Sequence, residues 1–307
     1  MRIALLNYSP YGNAYDEVSN RRFARAAVDA GHALDVVDWG TARLVAGGDG
    51  LSALGRAEGR EVDLAAYDVL MPRFDARDAR DLALVVGTVR WVEGLGVPSM
   101  PSSEAILAAE DRVEAARRFA RLALPAARSA VLPAAGGLDG AALDAAVTAV
   151  GGYPVVVKTP YGWGGYGVAL AESRAALRSW LDLAGQLVPN ATYLLQARVA
   201  HTVSVHVVAA GGVVVADGQK TVAEGEFRTN VRLGGREAPG RLTAREHEIA
   251  LRALAGFGVA AGSVDIARGP DGPVILEVNA CTGIAGAWDD PIADAFVAAA
   301  AALARPR

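Results

Sequence analysis

A single cysteine, Cys281, excludes an intramolecular disulfide and with it the stapled folds of small secreted proteins. It lies two residues past Asn279, where it reads either as a small packed thiol or as a nucleophile. The histidines His32, His201, His206 and His247 are scattered and offer no zinc-ligand spacing. Basic residues are not in excess. The net charge is -4 and no dense Lys/Arg run occurs, which removes the electrostatic case for a nucleic-acid partner. Apolar stretches are broken by charge or glycine before the about 18 residues a membrane helix needs, so no membrane partner is expected. Met1 to Leu6 reads as a first strand and lacks the longer apolar region of a secretory leader, so the expected location is cytoplasmic. The H-R-D and D-F-G motifs of protein kinases are missing, as is a Walker loop.

Hydrophobic residues make up 52% of the 307 and charged residues 21%, a balance that indicates a folded chain with a large core and more than one domain. The loop Asn7 to Asn13 separates the first strand from a helix over about Asp16 to Ala30, which Gly31 ends, and a strand to Trp39 follows. This is the opening of a doubly wound sheet, whose ligands sit at the carboxyl ends of strands. The first loop has no glycine fingerprint, so no dinucleotide is expected there. Residues 40–60 read as a surface connector. Tyr67 to Pro72 is a further strand, with Arg73 at its carboxyl end either meeting an anion or standing as a surface cation. A helix over about 78–93 leads to a domain boundary near residue 100.

Beyond it, Asp111 caps a helix that begins at Arg112 and runs to about Leu122. Tyr153 to Lys158 is a strand ending in a lysine, and Gly162-Trp163-Gly164-Gly165-Tyr166-Gly167 follows. Those six residues match G-x-G-x-x-G, but the next segment, Val168 to Ala171, is a strand and not the helix a Rossmann site requires. Glycines joining two strands suit a lid whose N–H groups close over phosphates, with Lys158 reaching their charge, or else a plain hairpin turn with a solvated lysine. Tyr193 to Val199 and Val203 to Ala216 read as antiparallel strands, and Lys220 as the start of a polar loop. Thr243 to Glu246 is a capping box.

Gly262 to Ala267 and Pro273 to Ala280 then form a hairpin. Period-two alternation puts Glu277 and Asn279 on one face and Leu276 and Val278 on the other. If Ala267 pairs with Ile275, Asp265 falls opposite Glu277. Three oxygen donors so placed suit Mg²⁺, or read as solvated polar faces.

The order of these parts resembles the ATP-grasp superfamily, and within it the RimK-like carboxylate-amine ligases, through Glu226-Phe227-Arg228-Thr229-Asn230, Leu233-Gly234-Gly235 and Leu276-Glu277-Val278-Asn279. The resemblance covers about residues 95–290. It implies an α/β and α+β chain: an ATP-grasp fold behind an N-terminal doubly wound (pre-ATP-grasp) domain. The expected divisions are 1–100, a central subdomain 101–195 with the lid, and a C-terminal subdomain 196–307 with the metal site. It further implies ATP and partners of the small-molecule carboxylate and amine type, with two Mg²⁺ ions, or Mn²⁺ in their place, on Asp265, Glu277 and Asn279. Arg112 and Lys158 would hold phosphates, Gly164, Gly165, Tyr166 and Gly167 would close over them, and Gln196, Ala197, Arg198 and Val199 would receive adenine. Arg228 and Lys220 would serve the reacting centre, with Arg73, Asn230, Ser204, Thr282 and Gly283 toward substrate. Related enzymes are often dimers or tetramers, so a homodimer or homotetramer is expected.

Some positions depart from the family pattern. Arg112 replaces the usual lysine, Ala197 an acidic residue, Thr202-Val203-Ser204 the usual Asp-Ile-Arg, Lys220 an arginine, and Ala280-Cys281-Thr282-Gly283 contains no proline. The metal positions persist while the substrate-facing ones differ. The resemblance therefore implies a ligase that forms an amide through an acyl phosphate on a small amino-acid, peptide or specialised-metabolite substrate, between molecules or by closing a ring. A catalytically silent ATP sensor or scaffold and a carboxylate kinase are the alternatives.

Overall fold

The continuous apolar run Ile3 to Leu6 becomes an interior strand of an open sheet because helices cover both of its faces. The protein is described from a computed structural model covering residues 1–8, 14–133, 139–162, 164–188, 191–230, 233–284 and 290–304. The expected first loop at residues 9–13, and Trp163 in the glycine loop, lie outside the described residues. Strand β1 (Arg2–Tyr8) leads through helix α1 (Ala14–Asp29) to β2 (Ala33–Gly47), and β3 (Gly50–Ala57), β4 (Arg60–Asp63), β5 (Val69–Phe74) and helix α2 (Ala79–Gly94) follow. The sheet order is β4-β3-β2-β1-β5, with β1 parallel to both β2 and β5. The chain thus steps from β1 to one side and returns to the other, which makes the gap between β1 and β5 the switch point.

Residues 40–60 are not a surface connector. Strand β2 continues to Gly47 and pairs with β3, which pairs with β4. The turn at Glu58 and Gly59 has φ of 49° and 77°, the left-handed pair that a tight hairpin needs. Ala53 and Ala57 are fully buried beside Trp39. Small alanines and glycines here conceal the alternation that a strand usually announces.

Two further helices, α3 (Ser103–Glu110) and α4 (Arg112–Arg121), meet at Asp111, whose carboxylate accepts from the N–H groups of Val113 and Glu114. Helix α3 has no counterpart in the sequence reading. Its alanine-rich apolar residues pack on both α2 and the later sheet. A four-stranded sheet follows, in the order β6-β9-β7-β8, from β6 (Ser129–Pro133), β7 (Val155–Lys158), β8 (Val168–Ala171) and β9 (Thr192–Ala197). Helices α5 (Gly140–Ala149) and α6 (Arg174–Leu187) cover it, and its core of Leu143, Val147, Leu177, Leu181 and Tyr193 is its own.

The last sheet is antiparallel, in the order β12-β11-β10-β13-β14. It contains β10 (Val203–Ala210), β11 (Val213–Thr221), β12 (Arg236–Pro239), β13 (Ala261–Gly269) and β14 (Gly272–Asn279). Lys220 does not begin a loop: it lies inside β11, opposite Ser204. Helix α7 (Ala244–Phe257) opens with the expected capping box, in which Thr243 and Glu246 satisfy each other's backbone N–H groups. It closes one face of the sheet, and α8 (Asp290–Leu303) packs against β10 and β11. Two cores run from the first sheet into this one. One joins α2, α3, α4 and α7, and the other joins α1 and α8 through Phe23, Phe296 and Val297. Each large side chain buried there contributes about 1.5–3 kcal/mol, so the first and last sheets are held as one body. No helix among the described residues is long and apolar enough to cross a membrane.

Candidate active site

The floor of the site is the hairpin of β13 and β14. Asp265 stands opposite Glu277 and Ser263 opposite Asn279. The expected pairing of Ala267 with Ile275 does not form. Ile275 pairs with Ile266 instead, and a bulge that leaves Leu276 unpaired brings Asp265 back to Glu277. Glu277 and Asn279 border the cleft, as do Leu276 and Val278, and Val278 is also part of the buried core.

Charges around the hairpin are unequally satisfied. Asp265 accepts from Lys220 Nζ at 3.1 Å and is hydrogen-bonded to His206 Nδ1 at 3.0 Å. Burial opposes its ionisation, but Lys220 and His206 outweigh burial and hold the carboxyl well below its usual range. Burial likewise works against the Lys220 ammonium, and Asp265 reverses the sign, so Lys220 is raised. Glu277 has no such partner among the described residues. Burial first and Asp265 second push it upward. Glu110, at the end of α3, is pushed up to about 7 by burial and then by the neighbouring Glu277. Lys158 is lowered to about 8, by burial and then by Arg112, and its ammonium has no hydrogen-bond partner among the described residues. Glu110, Lys158 and Glu277 line one cleft, walled also by Phe119, Leu194 and Gln196.

The glycine loop is held over this cleft from two sides. Arg112 Nη1 donates to the carbonyls of Thr159 (2.8 Å) and Tyr161 (3.2 Å), its Nη2 donates to that of Gly162 (2.5 Å), and its backbone N–H donates to Pro160 (2.9 Å). From the other side Arg228 Nη1 donates to the carbonyls of Gly165 (3.0 Å) and Val168 (3.1 Å), while Glu226 pairs with its Nη2 at 2.7 Å. Gly164, Gly165 and Gly167 all have positive φ. A Cβ on Gly165 would lie 2.9 Å from Asn230 Oδ1, and one on Gly167 would collide with Thr159 Oγ1, so glycine is required at both. Tyr166, at the loop tip, lies under the Arg77 guanidinium at 5.6 Å. Both arginines therefore grip the loop, whereas the sequence reading assigned Arg112 to phosphate and Arg228 to the reacting centre.

At the hinge, Gln196 lines the cleft and donates to Ser129 Oγ at 3.1 Å. The Ala197 N–H donates to the Arg128 carbonyl (2.8 Å), and the Val199 carbonyl is bonded to His201 Nδ1 (2.9 Å). Arg198 is exposed. On the substrate side, Ser204 is fully buried and donates to Thr229 Oγ1 at 2.7 Å, so it presents no surface to a substrate. The Thr282 side chain is buried too, donating to Ser263 Oγ at 2.8 Å, whereas Gly283 is exposed. Arg73 is buried and not a surface cation, and its Nη1 donates to the Thr282 carbonyl at 2.7 Å.

Two titratable residues of the site escaped the sequence reading. Glu110 ends a helix that was not read. His206 shares a face of β10 with Ser204, opposite the buried Val205 and Val207, and that alternation was a usable signal. Among the described residues no three His, Cys, Asp or Glu side chains form a metal site alone. A cation here would need the Asn279 amide and a ligand's oxygens.

The RimK-like ATP-grasp domain matches residues 137–295. A probable alpha-L-glutamate ligase of Sodalis glossinidius (strain morsitans) is 33% identical over 87% of this chain and 86% of its own. The ribosomal protein bS6–L-glutamate ligase of Escherichia coli O7:K1 is 32% identical over 93% of this chain and 90% of its own. The fold is also that of the D-cycloserine synthetase DcsG, with a TM-score of 0.74 at 19% identity, covering 99% of this chain and 100% of that one. The chain belongs to the RimK-like ATP-grasp family and is an ATP-dependent, ADP-forming ligase that joins a carboxylate to an amine.

Proposed function

We propose that this ligase acts on a small amino-acid or amino-acid-like substrate, with ATP seated in the cleft between the subdomains of residues 101–195 and 196–307. The observation that carries the reading is the pair of Lys158 and Glu277. Both line one cleft, neither has a hydrogen-bond partner among the described residues, and the glycine loop is fastened above them. Lys158 meets the phosphates. In the first step a substrate carboxylate oxygen attacks the γ-phosphorus and ADP leaves, giving an acyl phosphate. In the second an amine attacks the acyl carbon, and the tetrahedral intermediate expels phosphate as the nitrogen loses a proton. Such transfer needs positioning and charge neutralisation more than a protein nucleophile, so Cys281 takes no part.

The residues fit a divalent cation unequally. Glu277 and Asn279 offer free hard oxygens, and Glu277 sits beside a second carboxylate, Glu110, whose repulsion a cation relieves. Asp265 already faces Lys220 and His206, so it is the third and weakest donor. When bound, Mg²⁺ supplies charge neutralisation for the phosphates.

A small substrate is supported by Thr202 and Ser204, which stand where a carboxylate and a guanidinium are usual, the Ser204 hydroxyl being buried against Thr229. The glutamate ligases that this chain resembles along most of its length favour L-glutamate as one reactant. The test is ADP and phosphate release across L- and D-amino acids, dipeptides and L-glutamate with peptide acceptors, with products weighed by mass spectrometry. A product one water lighter than a single substrate means ring closure, and one joining two substrates means ligation between molecules. ATP binding with no carboxylate-stimulated release would remove this reading and leave a silent sensor. AMP and pyrophosphate would mean adenylation instead.

A further inference from the structure

The carboxyl end of β5 carries a cation that nothing among the described residues neutralises. Arg73 is only 6% exposed. Among the described residues no carboxylate lies within ion-pair distance of it. Its Nη1 donates to the Thr282 carbonyl at 2.7 Å, its guanidinium lies 5.4 Å from the Phe23 ring centroid, and its Nε–H is buried with no acceptor. A charge taken out of water with only neutral partners is a standing free-energy cost, and retaining one points to an opposite charge that arrives from outside.

Its place in the fold points the same way. Arg73 is opposite Asn7 in the β1–β5 pair, at the carboxyl ends of the two strands that flank the switch point, where ligands of open α/β sheets are held. Thr282, the residue it grips, follows Asn279 by three positions. Arg22 fixes the same segment through the Ile284 carbonyl at 3.0 Å. A small void lined by Phe23, Met71, Met100, Ala280 and Phe296 adjoins the guanidinium. Arg73 therefore stands between the N-terminal sheet and the tail of the strand that carries Glu277 and Asn279.

We infer that Arg73 is the receptor for a second, non-reacting carboxylate of the substrate. The substrate is then a dicarboxylate, such as an acidic amino acid, or another molecule with two carboxylates, of which one is activated and the other is held. Only the statement that the other carboxylate is activated rests on the ligase reading. A carboxylate fits better than a phosphate. One guanidinium edge, Nε–H with a neighbouring Nη–H, matches a planar two-oxygen group, and the apolar walls supply no donors for the further oxygens of a tetrahedral anion. The competing account makes Arg73 only a latch on Thr282.

The test follows the Arg73 Nε–Hε resonance by NMR in the full chain, loaded with Mg²⁺ and a non-hydrolysable ATP analogue. The signal is assigned by its loss in Arg73→Lys, or by its ring-current change in Phe23→Leu should the lysine variant not fold. Titration with glutarate or L-glutamate is expected to move the proton downfield and to saturate, while neutral glutaramide leaves it in place. A resonance unmoved by both acids, or moved equally by the diamide, overturns the proposal and leaves the latch. Calorimetry on folded Arg73→Lys is expected to show glutarate binding weakened about tenfold, with affinity for the ATP analogue unchanged. Undiminished glutarate binding in that variant also overturns it. Neither readout needs turnover, so a chain that binds glutarate at Arg73 and never releases ADP refutes the ligase reading alone. Turnover with an unmoved Arg73 refutes this inference alone.

Discussion

Replacing Arg112 by lysine, the residue usual in the family, separates gripping the lid from holding phosphate. The guanidinium spans the carbonyls of Thr159, Tyr161 and Gly162 with two nitrogens set in one plane. A lysine ammonium is a point donor on a longer stem and reaches at most one of them. Two charge-assisted hydrogen bonds are then lost. At about 1.5 kcal/mol each, the lower end of the usual range because the loop carbonyls regain water, the closed loop loses about 3 kcal/mol. That is about a hundredfold in the closed-to-open ratio. In Arg112→Lys, hydrogen exchange at residues 159–167 is expected to rise by about that factor and kcat to fall with it, while the Kd for an ATP analogue, which sees an unchanged charge, moves less than about threefold. Exchange at wild-type protection together with an ATP affinity weakened tenfold would refute the reasoning and return Arg112 to the phosphates.

Other perturbations test the hairpin and its neighbours. Glu277→Gln is expected to cut turnover by at least about a hundredfold through loss of a metal-facing charge. It should also melt no lower than wild type, because burial and Asp265 already disfavour the ionised carboxylate; near-native kcat would remove Glu277 from the chemistry. Glu110 has a folded-state value of about 7 against 4.5 unfolded, so the folded chain holds its proton more tightly. Stability from this group is full below about pH 4.5 and is lost as pH rises through about 7. Glu110→Gln should therefore gain stability over wild type above about pH 7, by at most about 3 kcal/mol, and match it near about pH 4.5 in denaturant melts. Lys220→Met leaves Asp265 buried with only His206 and is expected to cost about 3 kcal/mol, most of it recovered in the double variant with Asp265→Asn. Additive losses in that cycle would mean the pair is not coupled.

The legible parts of this chain are those in which local pattern and tertiary role coincide. Period-two alternation placed Glu277 and Asn279 on one face, and the strands on either side of Gly162 to Gly167 marked a loop between two strands, which β7 and β8 are. What one dimension conceals is which distant partner claims a side chain. The bulge at Leu276 restores the Asp265–Glu277 pair from a register that alternation alone misassigns. Arg112 lies about fifty residues from the carbonyls it grips, and Arg228 about sixty from its own. An arginine that the resemblance assigns to phosphate or to the reacting centre therefore keeps that reading until its donors are counted in space. The same counting reverses the reading of Ser204 and Arg73. A serine in a substrate position is closed off by Thr229, and an arginine that could have been solvated is buried without a counter-ion among the described residues. Burial decides function at both positions, because a polar group withdrawn from water must find its partner within the fold or receive it from a ligand. Ser204 has found its partner in Thr229, and the Arg73 charge has no counter-ion among the described residues.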